Sequence, residues 1–347
     1  MPKRRGVDHP GMMSLDEAAD LAASAFRRVG VTERDAGAAS ELLVLAEAMG
    51  IKTHGLNRVP DYVTRILAGG IDPSARCVVD RPAPALCHVD GNNGLGPAVA
   101  RCALEATMDA ARAAGIGAAF VRNSSHIGAL APLLYLAAEA GFAAIITTNT
   151  APMIAPAGGR AALLGNNPLG LVMPHPDGRH VLVDMALSVV SRSRVRAALT
   201  SGHTIPDDWA TDADGRPTEN PAEAMTGLMR AIGGNKGAVL ALGLDLFAGV
   251  LSGAGFMSKI PAASRAPDKR QGLGLMFLLI DTARLLSEDV RRARLNEAAD
   301  MVATSPPLDP DQPVRMPGAR ALDSLRTAKT RGLAISEDLL SELRAPG

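Results

Sequence analysis

Aromatic side chains are scarce in this chain of 347 residues: one Trp, two Tyr and six Phe, 3% in all. A platform for single-stranded nucleic acid needs several aromatic faces along a basic groove. Here Lys plus Arg only balance Asp plus Glu, at 36 each, so no nucleic-acid partner is expected. Cysteine is short as well. Cys77, Cys87 and Cys102 are an odd number at spacings that fit neither a zinc knuckle nor a redox pair, so reduced thiols of a cytoplasmic protein are expected, and no metal site. Long apolar runs are missing. The stretches at residues 143–146 and 239–246 end well short of the roughly 20 residues that cross a bilayer, so no membrane segment is expected. Residues 1–11 carry Lys3, Arg4 and Arg5 with no apolar run behind them, which argues against a secretory signal.

What is present suits a folded domain. The chain is 47% hydrophobic and 21% charged, with abundant Ala and Gly, so helices packed closely through small side chains are expected. Ser14 with Glu17 has capping-box spacing before a periodic stretch at 15–29, and Thr32 with Asp35 opens a second helix that runs to Met49. A third helix is expected at 59–67, stopped by Gly69-Gly70. From residue 74 short β-type runs alternate with helices: strands at 85–89, 116–121, 143–148, 169–172, 181–183 and 273–280, and helices at 97–114, 132–140 and 238–251. Residues 204–223, which include Trp209, read as a long surface excursion, and 258–270 as a basic mobile loop. An amphipathic helix is expected at 287–302 and a last helix at 336–343. The change in pattern near Pro73 marks a domain boundary.

Polar chemistry gathers at strand and helix ends. Asn123-Ser124-Ser125-His126 follows a strand and precedes a helix, a corner at which folds present side chains and free N–H groups to ligands; a capped turn with a solvated imidazole is the plain alternative. His54 and Arg58, four residues apart on one expected helical face, would set an imidazole beside a guanidinium, a pairing suited to a carboxylate substrate. An unrelated exposed pair is the alternative. Asp184, at the end of an apolar run, is placed either to orient a histidine or to cap a helix. Gly94-Leu95-Gly96 lacks the third glycine of a dinucleotide fingerprint, since Val99 stands there, and reads as a turn and cap. Gly233-Gly234-Asn235-Lys236-Gly237 is not a phosphate loop of the Walker type, yet a lysine at a helix start after glycines suits an anion; a plain loop is the alternative.

Taken in order, these stations resemble the malate/L-lactate dehydrogenase family that is unrelated to the Rossmann-fold enzymes of that name, and that includes sulfolactate, ureidoglycolate and diketogulonate dehydrogenases and cyclic imino-acid reductases. The anchors are Thr53-His54-Gly55 with Arg58 and Tyr62, Gly94-Leu95-Gly96, Asn123 to Gly128, Pro156-Ala157-Gly158-Gly159, Gly165-Asn166-Asn167-Pro168, Asp184-Met185-Ala186 and Gly234-Asn235-Lys236-Gly237. The resemblance covers residues 14–335. It implies a non-Rossmann α/β fold of the L-sulfolactate dehydrogenase type, with a central largely antiparallel or mixed sheet domain and a helical domain formed by both termini. On that reading residues 1–73, completed by 281–347, are helical, and 74–280 bind NAD or NADP. It also implies a homodimer. By the same resemblance His54 is the proton donor with Thr53 and Asp184 as its relay, His126 is the rival acid–base group, and Arg58 holds the substrate carboxylate or a cofactor phosphate. The dinucleotide would meet His126, Ile127, Gly128, Ala129, Leu130, Asn149, Asp184, Met185, Ala186, Lys236, Pro317 and Gly318. The implied reaction interconverts a 2-oxo acid and a 2-hydroxy acid, with reduction of a cyclic imino acid as the alternative and a silent ligand sensor as the third. The chain departs from the family pattern at Leu187-Ser188, Ala231-Ile232 and Gly274-Leu275, which bear on the substrate pocket.

Overall fold

Residue spacing at the helix starts is honoured in the structure. A computed structural model of the chain describes residues 11–345, so the reading of the basic N-terminal stretch lies largely outside the described residues. Strand β1 (Gly11–Met13) leads into α1 (Leu15–Arg28), where Ser14 accepts from the Glu17 N–H and the Glu17 carboxylate accepts from the Ser14 N–H at 2.9 Å. Such a cap is worth about 1 kcal/mol. Thr32 caps α2 (Glu33–Ala48) in the same way through the Asp35 N–H. Helix α3 (Arg58–Leu67) follows.

Next come β2 (Val78–Ala83), β3 (Leu86–Asp90), α4 (Gly96–Ala114), β4 (Ile116–Ser124), α5 (Ala131–Glu139), β5 (Phe142–Thr148), β6 (Leu169–Met173) and β7 (Val181–Met185). Helices α6 (Arg192–Ser201), α7 (Pro221–Thr226) and α8 (Asn235–Asp245) precede β8 (Leu273–Asp281); then come α9 (Glu288–Ala303), α10 (Ala319–Arg331), β9 (Leu333–Ile335) and α11 (Glu337–Arg344). Seven strands form one sheet in the order β2-β3-β4-β8-β5-β6-β7. Only β3 and β4 pair in parallel, across the crossover α4; the other neighbours are antiparallel. The sheet is therefore mixed and largely antiparallel, as expected.

The small residues explain how α4 lies on it. Its Ala100, Ala103, Ala110 and Ala111 are fully buried, and a Cβ at Gly117 of β4 would sit 2.4 Å from the Thr107 carbonyl, so helix and strand backbones nearly touch. A main core runs from Phe26 and Leu43 through Tyr62 to Val121, Leu133 and Phe277, and so is continuous across residue 73. A second cluster gathers Ile154, Leu187, Val195, Ile205, Met229 and Ala241.

Three expectations are corrected. Residues 204–223 are not a plain excursion: Ile205 and Ala210 are buried in the second cluster, and Trp209 packs against it. Helix α9 has no fully buried residue: Leu295, Ala299 and Val302 are only half-buried, and Val290 and Met301 are exposed. Helix α8 ends in a wider π turn at Leu246–Val250. The termini meet, since β1 pairs antiparallel with β9. Among the described residues no helix is long and apolar enough to cross a membrane, and no cluster of three or more His, Cys, Asp or Glu is placed to hold a metal ion.

Candidate active site

His54 ends a single 3₁₀ turn, Lys52–His54, so it does not share a helix with Arg58 as its spacing suggests. The turn is pressed onto α2. A Cβ on Gly55 would meet Glu47 Oε2 at 2.4 Å, and the Glu47 carboxylate accepts from the Leu56 N–H at 3.2 Å. Arg58 nevertheless reaches back to the turn: its Nε donates to the Thr53 carbonyl at 2.7 Å, and Nη1 donates to Asp61 at 2.9 Å. Thr53 Oγ1 lies 3.0 Å from His54 Nδ1. Burial, then the Arg58 charge, pushes the His54 imidazole down to about 4.

The second imidazole is held from three sides. Strand β4 bulges where Asn123 adopts φ +53, and its amide donates to Asp90 at 2.9 Å. Ser125 accepts from the Gly96 N–H at 2.8 Å and donates to the Gly94 carbonyl at 3.0 Å, so the Gly94-Leu95-Gly96 turn is a seat for this segment. Gly96 leaves no choice of residue there, because a Cβ would lie 2.2 Å from the His126 carbonyl. The His126 N–H donates to Gln271 Oε1 at 3.1 Å, which also accepts from Arg65 Nη1 at 2.7 Å. Buried Arg65 donates further to the Gly70 and Lys269 carbonyls, anchoring the end of the basic loop. His126 Nδ1 lies 2.7 Å from Tyr62 Oη. The His54 and His126 rings face each other at 5.6 Å between centroids. Burial first, then His54, Arg58 and Arg65, holds the His126 imidazole well below its usual value.

Tyr62, Arg65 and Gln271 were not assigned roles from sequence. A signal existed for the first two: Arg58, Tyr62 and Arg65 stand at i, i+4 and i+7 and so share one face of α3. Gln271 had none, lying 145 residues from His126.

Asp184 lies in β7 and is not the N-cap of a following helix; it bonds across space to the start of α5 instead. Its Oδ2 accepts from the Ala131 N–H at 2.8 Å at the start of α5, and burial raises its carboxyl above the usual range. Among the described residues it makes no hydrogen bond to His54. The structure does gather the expected cofactor segments here: Leu130 leads into α5 opposite Asp184, and the Pro317 carbonyl accepts from the Leu182 N–H at 3.1 Å, with Gly318 packed on Leu182. Asn149 differs from expectation. It is fully buried, its amide donating to Asp245 and Gly255 and its oxygen accepting from the Gly274 N–H, so its side chain belongs to the scaffold. Lys236 is exposed in the first turn of α8. Beside it lies a cavity of about 180 Å³ lined by Gly158, Gly159, Arg160, Arg230, Gly234 and Asn235. Glycine walls with two guanidinium groups fit a phosphate-bearing group.

An imidazole pair beside a guanidinium thus lies on a mixed α/β fold that also holds a glycine-walled cavity lined by Arg160 and Arg230. Residues 13–344 match the malate/L-lactate dehydrogenase family. The chain is 33% identical over 343 residues to the delta(1)-pyrroline-2-carboxylate reductase of Ancylobacter novellus, covering 98% of this chain and 99% of that one. It is likewise 33% identical over 342 residues to the (2R)-3-sulfolactate dehydrogenase (NADP(+)) of Chromohalobacter salexigens, covering 96% and 97%. The fold matches the sulfolactate dehydrogenase of Methanocaldococcus jannaschii with a TM-score of 0.88 at 28% identity and 96% coverage of both chains. The chain belongs to the malate/L-lactate dehydrogenase family: it is an oxidoreductase that works with NAD or NADP.

Proposed function

We propose that the protein interconverts a 2-oxo acid and its 2-hydroxy acid, with His54 exchanging the proton at the substrate oxygen. The observation that carries this reading is His54 itself: an imidazole in a fixed turn, bonded to Thr53, beside Arg58 and facing His126. Arg58 holds the substrate carboxylate. With no anion present the imidazole is neutral, since burial and the Arg58 charge hold it to about 4. It is thus ready as a base for hydroxy-acid oxidation. A carboxylate seated on Arg58 offsets that charge and lifts the imidazole toward protonation, so a 2-oxo acid recruits the proton that its own reduction needs. The nicotinamide, when bound, supplies or takes the hydride. His126 to Leu130, Asp184 to Ala186 and Pro317-Gly318 would hold that end of the dinucleotide, and Lys236 with Arg160 and Arg230 would meet its phosphates. Asp184 acts on this site by fixing the start of α5.

A second reading is favoured by the near full-length similarity to the reductase of Ancylobacter novellus: reduction of a cyclic imino acid, with the same proton delivered to nitrogen. We also place the protein in the cytoplasm, on its free cysteines, and as a homodimer. The dimer is supported by an uncovered apolar face on α8 and the turn after it, where Val239, Phe247 and Leu251 are 60%, 51% and 59% exposed. The division at residues 73 and 281 is kept in the proposal, because α3 brings Tyr62 and Arg65 to groups that residues 74–280 supply.

Nicotinamide absorbance with NADH and NADPH, against a panel of 2-oxo acids and cyclic imino acids, tests the reading. Turnover of 2-oxo acids is expected. Turnover of imino acids alone establishes the second reading, and dinucleotide binding without any turnover removes both.

A further inference from the structure

The two histidines are chemically unlike, and Tyr62 makes them so. Tyr62 lies in the main core, 2% exposed, stacked on Phe26. Its hydroxyl reaches His126 Nδ1 at 2.7 Å, across 64 residues of sequence. Either atom of that pair is able to donate, and a third group decides between them. The Gly128 N–H also points at Nδ1, at 3.3 Å, and a backbone amide only donates. Nδ1 therefore carries a lone pair, and Tyr62 donates into it. Burial reinforces that polarity, because it raises the phenol and keeps its proton on. The remaining proton of a neutral His126 sits on Nε2, an atom with no partner among the described residues. Around the ring stand His54, Arg58 and Arg65, each of which opposes a second positive charge, and Tyr62.

We propose that Tyr62 is a positioning residue that, with the Gly128 N–H, fixes His126 as the Nε2–H tautomer, so that His126 serves as a permanent hydrogen-bond donor to the substrate oxygen and His54 alone exchanges the proton. The proposal rests on the acid–base reading of the site. In reduction the substrate carbon gains the hydride, its oxygen gains one proton from His54, and His126 ends with the proton it began with. The division of labour suits the geometry, since a donor that never titrates stabilises developing negative charge on oxygen at any pH at which the enzyme is folded.

The test is ¹⁵N NMR of histidine-labelled, ligand-free protein from pH 5 to 8, with Tyr62→Phe beside the wild type. Expected in the wild type is an Nε2–H pattern for His126 that does not titrate. In Tyr62→Phe, which keeps the ring on Phe26 but leaves the longer Gly128 N–H contact as the one donor to Nδ1, the Nε2–H form is expected to lose its exclusivity and kcat to fall severalfold; an unchanged Nε2–H pattern there would remove Tyr62 from the role. His126→Gln, which keeps an N–H donor, should retain about ten times the activity of His126→Phe; a proton-transfer role would not be rescued in this way. An Nδ1–H pattern, titration of His126 in that range, or equal loss in Gln and Phe variants overturns the proposal. Should Tyr62→Phe fail to fold, the wild-type spectrum and the His126 pair still decide. Because the spectrum needs no substrate, failure of the substrate panel removes the functional reading and leaves the tautomer assignment to be judged separately.

Discussion

Glycine serves opposite purposes at the two ends of the site. At His126 it permits contact: a Cβ on Gly96 would strike the His126 carbonyl, and Tyr62, Gln271 and Gly128 bond the same residue. At the cationic cavity it permits shape: Gly234 has φ +62, yet a Cβ there would meet nothing within 4 Å. The chemistry explains the difference. Groups at a reacting centre need to be held to a fraction of an ångström, whereas a phosphate is recognised by charge and open backbone, which tolerate movement.

The contrast breaks most readily at His54. His54→Ala is expected to lower kcat by about 10²- to 10⁴-fold while dinucleotide binding, read by fluorescence titration, stays within a few-fold. Persistence of turnover within a few-fold would pass the proton role to His126. Next in size is a pH effect on stability. His54 is lowered from 6.5 to about 4, so the unfolded chain binds the proton more tightly. The stabilisation is complete above pH 6.5 and is lost as the pH falls through the folded value. Urea unfolding should therefore show the wild type losing up to about 3 kcal/mol more than His54→Gln between pH 7 and 4. His126 stays depressed in both proteins, because burial is the first cause of its shift, so the difference reports mainly on His54; equal losses would contradict the buried neutral imidazole. The smallest effect belongs to the open end. Lys236→Ala should raise KM for the dinucleotide about two- to fivefold at low salt, and less at high salt. A loss as large as that of His54→Ala would mean that the cavity side is as tightly built as the imidazole side.

Local signals were legible in the chain and distant ones were not. The caps at Ser14 and Thr32 are written in neighbours three residues apart, and each forms. The central strands announce themselves through unbroken apolar runs, although in the fold one side of β4 and β6 is more deeply buried than the other. Helix α10 gives no such signal: its buried apolar positions Leu322, Leu325 and Ala328 share the helix with eight charged or polar residues. The spacing of His54 and Arg58 allows one helical face, since spacing cannot register that Gly55 has φ −92 and ψ −139, which breaks the turn before α3 begins. Asp184 had two local readings, and only the position of the Ala131 N–H, 53 residues away, shows which bond it makes. Tyr62 and His126 are the extreme case. Nothing within a dozen residues of either names the other.

The pairing of β1 with β9 bears on how the enzyme comes into being. The helices that carry His54, Arg58 and Tyr62 emerge early in synthesis, yet the layer they form is closed by strands and helices from the far end of the chain, including an Arg28 bond to the Leu343 carbonyl. Contacts so distant in sequence are slow to form. The helical layer beneath His54 is thus completed only once residues 333–344 have been made and have folded back onto β1 and α1.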